Sequence, residues 1–290
     1  SDTGPWEQGF RNSLHVQNGN QTSGFGASDS VAIKQIIEAQ NMANSGWNYN
    51  STSSYITISF WVKSSVAQNF YGYLKSQDAD FKRYAYETGS LQANTWTKII
   101  KTIPGASGIT FNDDNGMGLI WEIIHYTGTT ESGSVTLNQW DAWDGSLRTP
   151  DVASTWWTTN DSTIEVTGVQ LEVGDVATGF EHRSYGDELA RCQRYYYKWV
   201  AGVSGYKFAA RYNATGSGQD IPGMYWFPTT MRANPTGAFV GTWAQSGCSG
   251  LSISGTSTDG CYIRAETSGS GSTTFYPDGA SNGFSMNAEL

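Results

Sequence analysis

The clearest hydrophobic pattern is Tyr55–Val62, where Ile56, Ile58, Phe60 and Val62 alternate with Tyr55, Thr57, Ser59 and Trp61. Alternate residues of a strand point to opposite faces, so this segment predicts a strand with its aliphatic face on a core. Gly118–Tyr126 repeats the pattern, with Leu119, Trp121 and Ile123 on one face. Phe70–Leu74, Phe81–Tyr86 and Thr95–Ile103 are shorter strands, the last ended by Pro104-Gly105. Val31–Glu38 fits two periods: Asp29 or Ser30 would cap a helix, yet Val31 and Ile33 alternate. Residues 1–30 are polar and Gly-rich, with Leu14, Val16 and Phe25 as the candidate strand residues.

The middle of the chain organises the rest. Ile164, Val166, Gly168 and Gln170 alternate with Glu165, Thr167, Val169 and Leu171, predicting a strand that closes the first module. Gly174 and Gly179 punctuate a loop. Asp187 would then cap a short helix, with Glu188 in its first turn and Leu189 and Cys192 three apart on one face. Tyr195, Tyr196 and Tyr197 favour a strand. Beyond them Tyr206–Tyr212, Met224–Phe227, Gly237–Trp243, Leu251–Ser254, Tyr262–Glu266 and Thr273–Tyr276 are short strand candidates between Gly- and Ser-rich turns.

Composition narrows the class. The 290 residues suggest two domains, and 34 Gly with few long helical stretches indicate an all-β protein. A net charge of −9 lacks the basic footprint of a nucleic-acid binder, and no apolar run approaches the ~20 residues that span a bilayer. Neither nucleic acid nor membrane insertion is expected. The chain begins at Ser1 without a signal-peptide pattern, as expected of a processed chain or part of a longer one. Three cysteines make no disulfide framework. Cys192 reads as a buried free thiol. Cys248 and Cys261 flank a hairpin-like stretch, which leaves a disulfide across its base open.

The unbroken run from Val169 to Tyr196, which includes Leu171-Glu172-Val173-Gly174, Gly179-Phe180-Glu181-His182-Arg183-Ser184 and Leu189-Ala190-Arg191-Cys192-Gln193-Arg194-Tyr195-Tyr196, resembles one that recurs in bacteriophage tail-fibre and other virion-surface proteins. Gly179 and Ser184 stand where those proteins often carry proline. Ser59–Ser64 is similar to a strand of carbohydrate-binding jelly rolls. Phe227–Thr236 and Asn287–Leu290 are similar to fibre tip domains. The resemblance implies a jelly-roll β-sandwich over 1–184, its first strand expected to lie upstream of the sequence. A hinge helix over 185–197 and a smaller β-rich trimerisation or tip domain over 198–290 would follow. It also implies a strand at Val31–Glu38 followed by a short irregular turn at 41–47.

The implied function is a non-enzymatic receptor-binding protein of the virion. It would attach to host cell-surface glycan as a homotrimer joined to other tail proteins. Two alternatives are a polysaccharide-degrading tailspike or glycosidase accessory module, and a structural decoration or adaptor protein. Residues 127–163 carry Trp140, Trp143, Trp156 and Trp157 among Asp141, Asp144 and other polar residues. Exposed indole faces stack on the C–H face of a sugar, and polar neighbours bond its hydroxyls, so these six are the candidate carbohydrate contacts. The plainer reading is that some of these tryptophans plug the sandwich. Trp61 and Trp121 read as packing residues. Asp113 and Asp114 are the candidate ligands of a structural calcium, without helix-loop-helix calcium spacing; no other cofactor is implied. Glu181, His182, Arg183, Asp187, Arg191 and Arg194 concentrate charge in the hinge, as expected of buried or intersubunit ion pairs. Glu165, Glu172, Glu181 and Glu188 form no marked carboxylate pair. His15, His125 and His182 have no metal-site spacing.

Overall fold

The computed structural model describes residues 4–20, 24–202 and 210–289. The chain divides into two compact units, Ser1–Glu181 and His182–Leu290. Both are built of antiparallel sheets, and the fold is an all-β sandwich with few helices.

In the first unit the strands are β1 (Leu14–Gln17), β2 (Ser30–Glu38), β3 (Tyr55–Ser64), β4 (Asn69–Ser76), β5 (Lys82–Ser90), β6 (Thr97–Pro104), β7 (Met117–Thr127), β8 (Trp140–Ala142) and β9 (Thr163–Val173). Short helices α1 (Ala39–Ala43) and α2 (Thr155–Thr158) interrupt them. One sheet runs β1-β9-β3-β6 and the other β2-β7-β4-β5-β8. The chain crosses repeatedly between the two, as expected of a jelly roll. Val31–Glu38 is a strand; the turn expected after it contains α1.

Ile56, Ile58, Phe60 and Val62 of β3 face Leu74, Tyr86, Leu119, Trp121 and Ile123 across the core. Trp121 Nε1 donates to Tyr86 Oη at 2.6 Å, which satisfies both groups in the apolar interior. The alternation expected along β9 does not run unbroken. Ser59 pairs with Gln170 but Trp61 with Thr167, so β9 carries an extra residue at Gly168–Val169. Gly168 takes φ +61, and the bulge reverses the facing: Ile164 and Val166 point inward before it, Leu171 after it. The ring of Phe10 lies against Gly168, in the space a side chain would occupy.

The second unit contains α3 (Tyr185–Gln193), β10 (Tyr196–Val200), β11 (Ala210–Trp226), β12 (Thr236–Val240), β13 (Trp243–Ser246), β14 (Cys248–Ser254), β15 (Gly260–Pro277) and β16 (Gly283–Asn287). One sheet runs β10-β16-β12; in the other, β15 pairs with β11, β13 and β14. Tyr197, Ile221, Ile263, Phe275, Phe284 and Met286 form the core.

Several expectations are corrected here. Tyr262–Glu266 and Thr273–Tyr276 belong to one long strand. The Gly/Ser run between them stays extended because Gly269 pairs with Gly216 and Gly271 with Ala214. Met224–Phe227 is largely the end of β11. Residues 206–209 of the expected Tyr206–Tyr212 strand lie outside the described residues. Gly237–Trp243 is split at Gly241, φ +70. Helix α3 is capped by Ser184, not Asp187: Asp187 N–H donates to Ser184 Oγ at 3.2 Å, and Ser184 Oγ donates to Asp187 Oδ2 at 2.6 Å. Cys192 is exposed, because α3 buries none of its residues. Cys248 and Cys261 are both free. Cys248 stands opposite Thr267, six residues from Cys261, or ~20 Å along β15 at ~3.3 Å per residue.

Candidate site on the outer face of the five-stranded sheet

Residues paired across strands share a face of the sheet. Two adjacent rungs therefore cross the outer face of β2-β7-β4-β5-β8. The first is Lys34–Glu122–Tyr73–Ala85, and the second is Ile36–Ile120–Lys75–Arg83–Asp141. Their sequence neighbours Leu74, Tyr84 and Trp121 point into the core, which fixes the facing. The outer face thus places charges on strands otherwise built for burial.

The connection from β7 to β9 covers this face. Val135, Leu137, Trp143 and Val152 pack on Tyr73, Ala85 and Ile124 in a small second core. Tyr73, Lys75, Arg83 and Glu122 are each less than a tenth exposed. Tyr73 Oη donates to Glu122 Oε2 at 2.6 Å, and burial beside this carboxylate pushes the phenol well above its ordinary range. Arg83 donates to the carbonyl of Leu147 and lies 3.4 Å from Asp141 Oδ2. Arg148 pairs with Glu131 at 2.8 Å. The Lys75 ammonium is 4.1 Å from the Trp143 ring centroid and 5.0 Å from that of Phe81. Burial lowers its pKa, followed by the repulsion of Arg148. Asp144 accepts from Ser146 N–H at 2.8 Å and Ser146 Oγ at 2.6 Å, which hold its carboxyl below the usual range.

Trp143 is half-buried, its ring tilted on Tyr73 with centroids 5.4 Å apart, and Phe81 is 46% exposed. The arrangement is an aromatic rim over a charged floor in which Lys34, Lys75, Arg83 and Arg148 nearly balance Glu122, Glu131 and Asp141. The floor is covered and paired within itself, so what faces solvent is the rim: the rings of Trp143 and Phe81 with the carboxylates of Asp141 and Asp144 at their border.

The six candidate carbohydrate contacts do not form one group. Asp141, Trp143 and Asp144 border the sheet face. Trp140 instead packs edge-on against Tyr84 and donates its Nε1–H to Pro104 O at 2.6 Å, so it is anchored in the sandwich. Trp156 is corrected outright: it is fully buried, with its backbone N–H donating to Gln68 Oε1 at 2.9 Å and its ring against His125. Trp157 is half-buried, stacked on Tyr126 and edge-on to Phe25. Asn18 explains their placement, since its Nδ2 faces the carbonyls of Trp156, Trp157 and Thr159 at 2.7–3.0 Å and ties α2 inward.

Asp113 accepts from Asn44 Nδ2, at the end of α1, and Asp114 from Gly116 N–H within its own turn, both at 2.8 Å. Among the described residues no cluster of three or more His, Cys, Asp or Glu forms around them. The hinge charges are not buried: every residue from Glu181 to Cys192 is exposed, including the Arg183–Glu188 pair at 3.0 Å. Asp187 serves the helix cap, and the backbone carbonyl of Arg194 accepts from Arg232 N–H at 2.9 Å. Tyr73, Lys75, Phe81, Arg83 and Glu122 were not among the expected site residues. Their signal is a charge inside an apolar strand, as Glu122 interrupts Gly118–Tyr126.

No family model matches the chain, and neither a curated protein nor a solved structure matches it.

Proposed function

We propose that this chain is a non-enzymatic adhesion protein of a bacteriophage virion, the distal part of a tail fibre, and that it holds host cell-surface glycan on the solvent-facing rings of Trp143 and Phe81 beside its five-stranded sheet. The observation that carries the ligand class is the pair of partly exposed aromatic residues Trp143 and Phe81, held together by the Trp143 backbone N–H donating to the Phe81 carbonyl at 2.8 Å and bordered by Asp141 and Asp144. The likeness of residues 169–196 to virion-surface proteins supports the location. Binding is favoured over hydrolysis because Glu122 and Asp141 stand on β7 and β8, three strand steps or ~14 Å apart at the backbone. A glycosidase pair sits about 5–10 Å apart.

A homotrimer belongs to the same proposal. No residue of helix α3 is fully buried, and it exposes Tyr185 and Leu189 four residues apart on one side. A second copy would cover that stripe and the charges around it.

The test is a glycan array with the full chain and its Trp143→Ala variant, alongside light scattering. The expected result is selective glycan binding, weakened at least tenfold by the substitution, from a particle of three chains. Release of reducing ends from host polysaccharide would favour the degrading tailspike. An array without binding would favour the decoration protein.

A further inference from the structure

The second unit carries an exposed apolar patch outside the site already described. Met224 and Tyr262 are directly paired on β11 and β15, and Trp226 stands one rung along, opposite Gly260. Their neighbours Tyr225, Cys261 and Ile263 point into the core, so the three project from the other face. Trp226 is 67% exposed, Met224 50% and Tyr262 39%. Such exposure of large apolar side chains side by side marks a binding surface.

Local geometry shapes the patch. Gly260 puts no side chain on the rung facing Trp226, so nothing stands across the ladder from the indole. Gly255, at φ +55, lets the Tyr262 ring lie flat over it; a Cβ there would fall 2.5 Å from the ring. The result is an open hollow of about 150 Å³ lined by Met224, Trp226, Tyr262 and Ser257. Its polar edge is neutral or internally paired. Ser254 shares the face opposite Tyr262. The Asp259 carboxylate is held by Thr230 Oγ1 at 2.8 Å, and Arg264 pairs with Asp220 at 2.9 Å.

We infer that this hollow is a second saccharide site, in which a single neutral pyranose ring stacks its C–H face on Trp226 and directs hydroxyls to Ser257 at the polar side of the hollow. Three arguments select this occupant. A largely exposed indole with the Ser257 hydroxyl in the same hollow suits a ring with one apolar and one polar aspect. The hollow has room for one ring and not for a chain segment. The three side chains expose roughly 350 Å², taking about 200–250 Å² for each large side chain when free, which is well below the ~800 Å² per partner of a stable protein interface. The ligand class is shared with the proposed function, but the residues belong to a different unit.

The experiment is saturation-transfer NMR of a panel of methyl glycopyranosides against the full chain, Trp143→Ala, Trp226→Ala and the double variant. Light scattering is run on each, and Tyr262→Ala serves as a second probe of the hollow. Trp226 is largely solvent-exposed, so its removal leaves the core intact. The expected result is ring-proton transfer that survives in Trp143→Ala, drops at least tenfold when Trp226→Ala is added, and drops likewise with Tyr262→Ala in the Trp143→Ala background. Transfer lost in Trp143→Ala and unchanged in Trp226→Ala would overturn this inference and leave the first site standing. Transfer lost in Trp226→Ala and unchanged in Trp143→Ala would uphold the inference and remove the first site. No transfer to the unmodified chain, or transfer that survives the double variant, would overturn both. A fall in particle mass on Trp226→Ala would identify the patch as an interface between copies and overturn the saccharide site.

Discussion

His125 makes the stability of the first unit depend on pH in a calculable way. It is fully buried, its ring lies 5.2 Å from that of Trp156, and neither ring nitrogen has a hydrogen-bond partner among the described residues. Burial disfavours the imidazolium and lowers its pKa from 6.5 to about 3. Above pH 6.5 both folded and unfolded chains carry neutral His125, and the residue adds no pH dependence. As pH falls from 6.5 towards 3, the unfolded chain takes up a proton that the folded chain refuses, so stability declines across that window. At pH 4.5 the difference is about 2 pH units, or about 3 kcal/mol; the full loss below pH 3 is on the order of 5 kcal/mol. The perturbation is His125→Phe, which keeps a ring against Trp156 and removes the titration. Urea unfolding at pH 7.5 and 4.5, read by hydrogen exchange at the amides of β7, reports on this unit alone. Between the two pH values the unmodified chain should lose about 3 kcal/mol more than the variant, because carboxylates and the other histidines are common to both. Equal losses, within ~0.5 kcal/mol, would refute the reasoning.

Gly168→Ala should destabilise the first unit by about 2–4 kcal/mol in urea unfolding, since the new Cβ sits at positive φ and 2.5 Å from the Phe10 ring; a cost below ~0.5 kcal/mol would contradict the bulge. Thiol titration at pH 8 should find Cys192 reacting at once and Cys261 protected, its pKa raised to about 11 by burial. In denaturant without reductant all three cysteines should react, and a single reactive thiol would mean that Cys248 and Cys261 are joined.

What could be read from the sequence followed from local pattern. β3 and β7 were legible because a two-residue period over eight or more positions leaves one plausible backbone, and the aliphatic face named the core side. The bulge in β9 was not, because Gly168 reads as an ordinary alternating position until its pairing with β3 is known. The Gly/Ser run at 268–272 reads as a turn, and only its partner strand holds it extended. The site was legible in part: Trp143 stood out by composition, but Trp156 had the same polar surroundings and is buried, its backbone tied inward by Asn18 and Gln68, which are distant in sequence. Lys75, Arg83 and Glu122 gain meaning only through the register of three strands. Trp226, between Tyr225 and Phe227, could not be assigned a face without the β11–β15 pairing.

The β11–β15 ribbon has a mechanical consequence. Near both ends it is fastened by buried side chains, Ile221 and Ile263 toward one and Phe275 toward the other. Between them, from Thr215 to Gly218 and from Ser268 to Ser272, it is almost all Gly and Ser, lies largely in solvent, and is held mainly by ladder hydrogen bonds. Two-stranded ribbons twist readily, and glycine puts no bulk in the way. This waist is a torsion bar: load applied at one end is taken up as added twist, and the apolar contacts at the two ends need not break to absorb it.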